Sequence, residues 1–328
     1  MIRRLLAFVE PFILVLLGTV LLASVLPARG FWAGTVGAIA DAGIALLFFL
    51  HGAKLSREAV WQGASNWRLH GATLGVTFIL FPALGLAFAR SPFVYAGLSA
   101  GLLFLTLLPS TVQSSIAFTA VARGNVAAAI CAATFSNLIG IVLTPALVAL
   151  LMGGAAGGVT LAAVQAIIFQ LLLPFVVGHL LRPWIGGFVA RHKTLVSRVD
   201  RGSILLVVYT AFGAAVVEGL WHRISVGDLL ILGSICLLLL GVVMAATWLI
   251  ARLMGLAQED AVVLLFCGSK KSLASGVPMA GVLFPAAQVG IVILPLMMFH
   301  QLQLIACALI AARLAKRAPA SPVMATVA

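Results

Sequence analysis

Apolar residues gather in ten stretches, about 5–26, 31–53, 69–89, 92–121, 126–152, 159–181, 202–220, 226–251, 260–284 and 286–312. Short segments of Gly, Pro and charged residues separate them. An α-helix crosses a bilayer with ~20 apolar residues, so each stretch has the length of a span. The N-terminal MIRRLLAFVEPFILVLLGTVLLA joins a basic start to an apolar run, as a signal peptide does. It lacks a clear small-residue cleavage site, and the second stretch follows within a few residues. It reads as a retained first helix.

Composition supports the pattern. Hydrophobic residues make up 63% of the 328 and charged residues 9%, against about 45–50% and ~25% in soluble domains. Mean hydropathy is +1.22. A soluble core cannot absorb that much apolar surface. These features predict an all-α polytopic membrane protein and exclude disordered, collagen-like and disulfide-scaffold classes. Cys131, Cys236, Cys267 and Cys307 all lie inside apolar runs, without metal spacing, and read as buried free thiols.

The net charge is +12. Sorting the 20 Lys and Arg by span places fifteen on the side of the N-terminus and three (Arg29, Arg90, Arg223) on the other. Lys270 and Lys271 belong to neither. That asymmetry is the positive-inside signature rather than a nucleic-acid footprint. It places both termini in the cytoplasm and requires an even number of spans. Trp32, Trp61, Trp67, Trp184, Trp221 and Trp248 sit at span ends or in loops, where an indole finds apolar surface and a wet partner.

The basic segment 182–201 reads as the longest loop, a cytoplasmic linker between two halves of five spans each. Residues 1–158 form the first repeat, 159–181 the sixth helix, 202–312 helices seven to ten, and 313–328 a cytoplasmic tail. An odd number of spans per half makes the repeats inverted. Both halves are interrupted at the same place. LLPSTVQSSIAF (107–118) breaks the fourth span and FCGSKKSLASGVP (266–278) the ninth. Irregular backbone survives in a membrane only inside protein or beside a cavity, and paired breaks point to a midplane binding site.

Polar residues within the spans supply the candidate site. Lys270 and Lys271 lie near the bilayer centre, where a lysine costs at least ~2.5–3.5 kcal/mol on insertion scales. Adjacent helical residues point about 100° apart, so the two lysines face different surroundings. One is expected to bind an anion or exchange a proton, and the sequence does not choose between them. Ser269 and Ser272 flank the pair. Gln113, Ser114, Ser115, Thr134, Ser136 and Asn137 cluster around the first break and the helix after it. Asp41, the only acid well inside a span, and His300, beside Gln301 and Gln303, are secondary candidates. GLSAG (97–101) matches the G-x-S-x-G pattern but lies in a membrane helix without the strand–turn–helix setting of a nucleophile elbow. Gly97 and Gly101, like Gly71 and Gly75, read as packing notches. No enzyme activity is expected.

LPSTVQSSIAFTAVARGNVAAAICAATFSNLIGIVLTPAL and FCGSKKSLASGVPMAGVLF resemble the bile acid:sodium symporter family in its bacterial symporter-like branch. The resemblance extends over nearly the whole chain. It implies ten helices in two inverted repeats, with helices 4 and 9 broken and crossing, and a plasma-membrane location. Helices 1, 2, 6 and 7 would form a panel and helices 3–5 and 8–10 a core. A small organic anion would bind between them and cross by alternating access. The family's sodium ligands do not carry over whole. The serine–asparagine pair falls on Ser114 and Ser115, or one position later, so its asparagine is missing; the helix 5 hydroxyls fall on Ala129 and Ala133, the glutamate on Phe266 and the glutamine on Lys270. An ammonium beside a sodium site repels the ion. The expected protein is therefore a secondary transporter of a small organic anion, driven by protons or sodium, with the bilayer as partner and no cofactor. The rival reading is a regulator or scaffold that retains the fold without transporting.

Overall fold

The structure is a computed structural model that describes residues 11–54, 66–90, 95–152, 165 and 167–317. The expected loop tryptophan Trp61, the boundary near 158 and the end of the tail lie outside these residues. The described residues form helices and no strand. In chain order these are α1 (Pro11–Val25), α2 (Phe31–Lys54), α3 (Trp67–Ala89), α4 (Ala96–Leu107), α5 (Gln113–Val121) and α6 (Val126–Met152). The second half contains α7 (Leu173–Arg191), α8 (Lys193–Val217), α9 (Val226–Leu253), α10 (Gln258–Gly268), α11 (Leu273–Leu283) and α12 (Ala286–Arg317). Among the described residues, seven helices are long and apolar enough to cross a membrane. The two segments singled out as broken are each two short helices, α4 with α5 and α10 with α11.

Segment 182–201 is not a loop. It is the last three turns of α7 and the first turns of α8, joined at His192. The basic residues obscure an apolar thread: Val189 and Val196 are buried against Ala53, with Ile185 and Leu50 around them. Ile185 and Val189 are four residues apart, on one helical face. Likewise Arg313, Lys316 and Arg317 belong to α12 and not to a separate tail.

Two groups of helices pack together. In one, α2 lies against α7 and α8, and α8 against α1. In the other, α3, α4, α9, α10, α11 and α12 surround the breaks, and α8 touches it through α11 and α12. The α2–α7 crossing is tight because two glycines meet backbone directly. A Cβ on Gly52 would lie 2.0 Å from the Phe175 carbonyl oxygen, and one on Gly178 2.0 Å from that of Phe49. Gly97 and Gly101 also sit against neighbours, including Ile291 and the Val292 carbonyl. Gly71 and Gly75 do not; both face open space, correcting their reading as packing notches.

On the face carrying most of the basic residues, Asp260 ties three helix starts together. Its carboxylate accepts from Asn66 Nδ2 and Asn125 Nδ2, both at 2.9 Å. The two asparagines cap in turn, accepting from Leu69 N–H and Ala128 N–H. A carboxylate where three helix N-termini converge is favoured by their dipoles. Arg123, in the left-handed region at φ 57°, makes the sharp turn from α5 into this knot.

Gly178→Ala is expected to lower the melting temperature in detergent by several degrees, because the methyl group must push two helix backbones apart at an overpacking cost of ~1–3 kcal/mol. Gly71→Ala, where nothing lies within 4 Å, should leave it unchanged or slightly higher. Equal melting of the two variants would contradict the crossing described.

Candidate functional site

The two breaks meet in the middle of the fold and bond to each other. Ser272 N–H donates to the Pro109 carbonyl at 2.9 Å. Ser110 Oγ donates to the Cys267 carbonyl, and Ser115 Oγ to that of Phe266 at 3.1 Å. These carbonyls end α10, where a helix leaves its last C=O groups unclaimed. In hydrocarbon that omission is expensive, and hydroxyls of the opposite break make it good. α6 contributes as well. Ser136 Oγ accepts from Ser110 N–H at 2.9 Å, Thr144 Oγ1 donates to Leu107 O at 2.8 Å, and Asn137 Nδ2 donates to Ser110 O at 2.8 Å.

The polarity of the half-helices follows. The C-terminal ends of α4 and α10 are consumed by internal bonds, while the N-termini of α5 and α11 point toward a cavity. Ser272 caps α11, its Oγ accepting from Ser275 N–H at 3.2 Å. Ser275 Oγ donates to Asn137 Oδ1 at 2.9 Å, so the capping turn is anchored to α6. Thr111, Gln113 and Ser114 stand at the start of α5 and line the cavity. Helix N-termini with free N–H groups suit an anion.

That cavity, of about 360 Å³, runs from the breaks to Lys54 at the end of α2 and to Asp200 and Arg201 of α8. Its walls differ. The breaks, α6 and α12 present hydroxyl, amide and imidazole groups, while Leu47, Phe48, Phe175 and Ile204 from the opposite helices make an apolar wall. At its mouth Lys54 is ion-paired with Asp200. The Arg201 guanidinium stands over the Phe12 ring.

Of the residues singled out from the sequence, Gln113, Ser114, Thr134, Asn137, Ser272 and His300 line this cavity. Ser115, Ser136 and Ser269 do not; they are buried and bonded to backbone. Asp41 is exposed on α2, away from the breaks, and pairs with neither lysine. The cysteines are buried and free, as expected.

The two lysines separate completely. Both are fully buried. Lys271 turns away from the cavity and spends all three ammonium hydrogens on carbonyls, Thr77 O at 2.8 Å and Thr106 O and Leu108 O at 2.7 Å. Its backbone is clamped by Gln303, which accepts from Lys271 N–H at 2.8 Å and donates to Lys271 O at 2.9 Å. Those two bonds fix the orientation of the amide, so Gln303 Nε2 must also donate to His300 Nδ1, 2.8 Å away. His300 in this arrangement is a neutral imidazole with its proton on Nε2. Lys270 points the other way. Its ammonium reaches Ser114 Oγ at 3.3 Å and sits over the Phe118 ring at 4.5 Å, and no carboxylate among the described residues pairs with it. It stands one hydroxyl behind the cavity wall.

Thr111, Ser275, His51 and the Lys54–Asp200 pair escaped the sequence reading. Ser275 had a signal, three residues after Ser272 in a capping position. Lys54 and Asp200 are 146 residues apart and carried none.

A profile of the SBF-like CPA transporter family matches residues 10–316. The chain is 53% identical over 311 residues to "Uncharacterized protein PA2026" of Pseudomonas aeruginosa, covering 94% of this chain and 93% of the relative. It is 49% identical over 316 residues to "Putative symporter YfeH" of Escherichia coli, covering 94% of each. "Sodium/bile acid cotransporter 7" of Mus musculus is 27% identical over 267 residues, covering 80% of this chain and 78% of the relative. An all-helical integral membrane protein with broken helices around a polar cavity, this chain belongs to the SBF-like CPA transporter family.

Proposed function

We propose that the protein is a secondary-active transporter of a small organic anion, built from ten transmembrane helices in two inverted repeats and working by alternating access. The seven long helices, the helix begun at Pro11 and the two broken pairs account for ten crossings. The packing of α1, α2, α7 and α8 apart from the helices around the breaks suits a panel and a moving core. The distribution of basic residues puts both termini and the cavity mouth in the cytoplasm. In a bacterial relative of the proteins above, that membrane is the inner membrane.

One observation carries the substrate class. A buried lysine with no carboxylate partner among the described residues lies a single hydroxyl behind a cavity into which two half-helix N-termini point. An anion there receives the dipoles of α5 and α11 and the charge of Lys270, relayed through the Ser114 hydroxyl. The apolar wall opposite suits an organic body. Proton coupling follows from charge balance. If Lys270 is an ammonium when the anion is present and an amine when it is absent, the crossing keeps its net charge in both states. Proton and anion then load and leave together.

The experiment begins with a thermal-shift screen of purified protein against organic anions across pH. Lys270→Met should weaken binding of the strongest anion by ~10–100-fold while the protein stays folded, as expected for losing one charge-assisted contact of ~1.5–3 kcal/mol. In neutral-lipid proteoliposomes, transport should depend on pH and not on replacing sodium with choline. Unchanged affinity in Lys270→Met would place the anion elsewhere.

Topology has its own check. Cysteines introduced at Arg191 and Arg317 should label from the cytoplasm and those at Arg90 and Arg223 from outside, with little background from the four buried native thiols. Labelling of positions 191 and 223 from one side would remove the inverted repeat.

A further inference from the structure

The three carbonyls around Lys271 are each a group whose own helix has abandoned it. In α3 the π-helical turn Val76–Leu80 sends Phe81 N–H to Val76 O instead of Thr77 O. The next residue, Pro82, has no N–H to offer. Thr77 O is therefore left over. In α4 the N–H that would close on Thr106 O belongs to Ser110, and it bonds to Ser136 Oγ instead. Leu108 is already extended, at φ −78° and ψ 155°, so its carbonyl lies beyond the end of the helix. Two of the three oxygens thus sit at the C-terminal, negative end of a half-helix dipole.

Three inward-pointing backbone oxygens at an interrupted helix make a monovalent-cation site by chemistry: unwound carbonyls and half-helix C-terminal ends are what membrane transporters offer to such ions. Here the Lys271 ammonium fills that place with one hydrogen per oxygen, and the Phe81 ring, centred 4.2 Å from Nζ, closes the remaining side. We propose that this carbonyl cluster is a monovalent-cation site permanently occupied by the protein's own lysine, so that the crossing carries its cation on the chain and takes no sodium from solution. The Lys271 geometry is the same whichever anion is transported.

The test uses purified full-length protein in detergent without added anion, its melting temperature compared in sodium, potassium, methylammonium and choline chloride at equal ionic strength. The parent should melt alike in all four. Lys271→Ala vacates the place; it should melt lower in choline and recover by about 5 °C or more, saturably, with sodium, potassium or methylammonium. Lys271→Met, whose side chain fills the same space without charge, should melt lower and recover with none of them. A saturable sodium-specific rise in the parent would overturn the proposal. So would a Lys271→Ala variant that melts like the parent, or one that small cations stabilise no better than choline. Should Lys271→Ala not fold in any salt, the parent's response decides: indifference to the cation supports the built-in ion, and sodium dependence refutes it.

Discussion

Backbone groups without partners are the constraint on which the rest of this structure depends. A helix broken inside a membrane releases carbonyls at one end and amides at the other, and hydrocarbon offers neither a bond. The protein resolves this asymmetrically. At the ends of α4 and α10 the carbonyls of Thr106, Leu107, Leu108, Phe266 and Cys267 are answered internally, by Lys271, Thr144, Ser115 and Ser110. The amide ends of α5 and α11 are left to face the cavity. The same breaks that would destabilise the span thereby become one polar, anion-favouring surface.

Lys271 shows how far this settlement reaches. A charge at this depth would be costly in isolation, yet it bonds to three carbonyls drawn from two spans and to none of its own helix. Gln303 of α12 holds its backbone, and the same amide sets the tautomer of His300 on the cavity wall. α3, α4, α11 and α12 are therefore joined through one side chain and one amide. Lys270, one residue earlier, has a single hydroxyl and two aromatic rings. Two neighbouring lysines with the same burial differ in role because one is saturated with acceptors and the other is not.

The interfaces that join these helices to the other group are of a different kind. α2 and α7 are locked to each other by backbone contact at Gly52 and Gly178. Between the two groups lies the cavity, apolar on one side and polar on the other, with the Lys54–Asp200 pair and Arg201 at its mouth. Two packed groups of helices with a cavity between them suit the alternating access proposed above.

Much of this was legible in the chain. The membrane class, the positions of the spans and the paired breaks follow from apolar length and from Pro, Gly and Ser clusters, because hydrocarbon thickness and backbone satisfaction act on local sequence. Six of the cavity's polar residues were named on the same grounds. The segment 182–201 misled because its charges outweigh Val189 and Val196, whose burial depends on Ala53 in another helix. Which lysine faces the cavity was beyond the sequence altogether. That choice was made by Thr77, whose carbonyl is released by a π turn in α3 that is followed directly by Pro82, nearly two hundred residues away. Sequence alone determined that two lysines and two breaks would share the membrane's centre. The tertiary structure decided what each does, because a buried charge takes its role from the unpaired groups that distant segments bring to it.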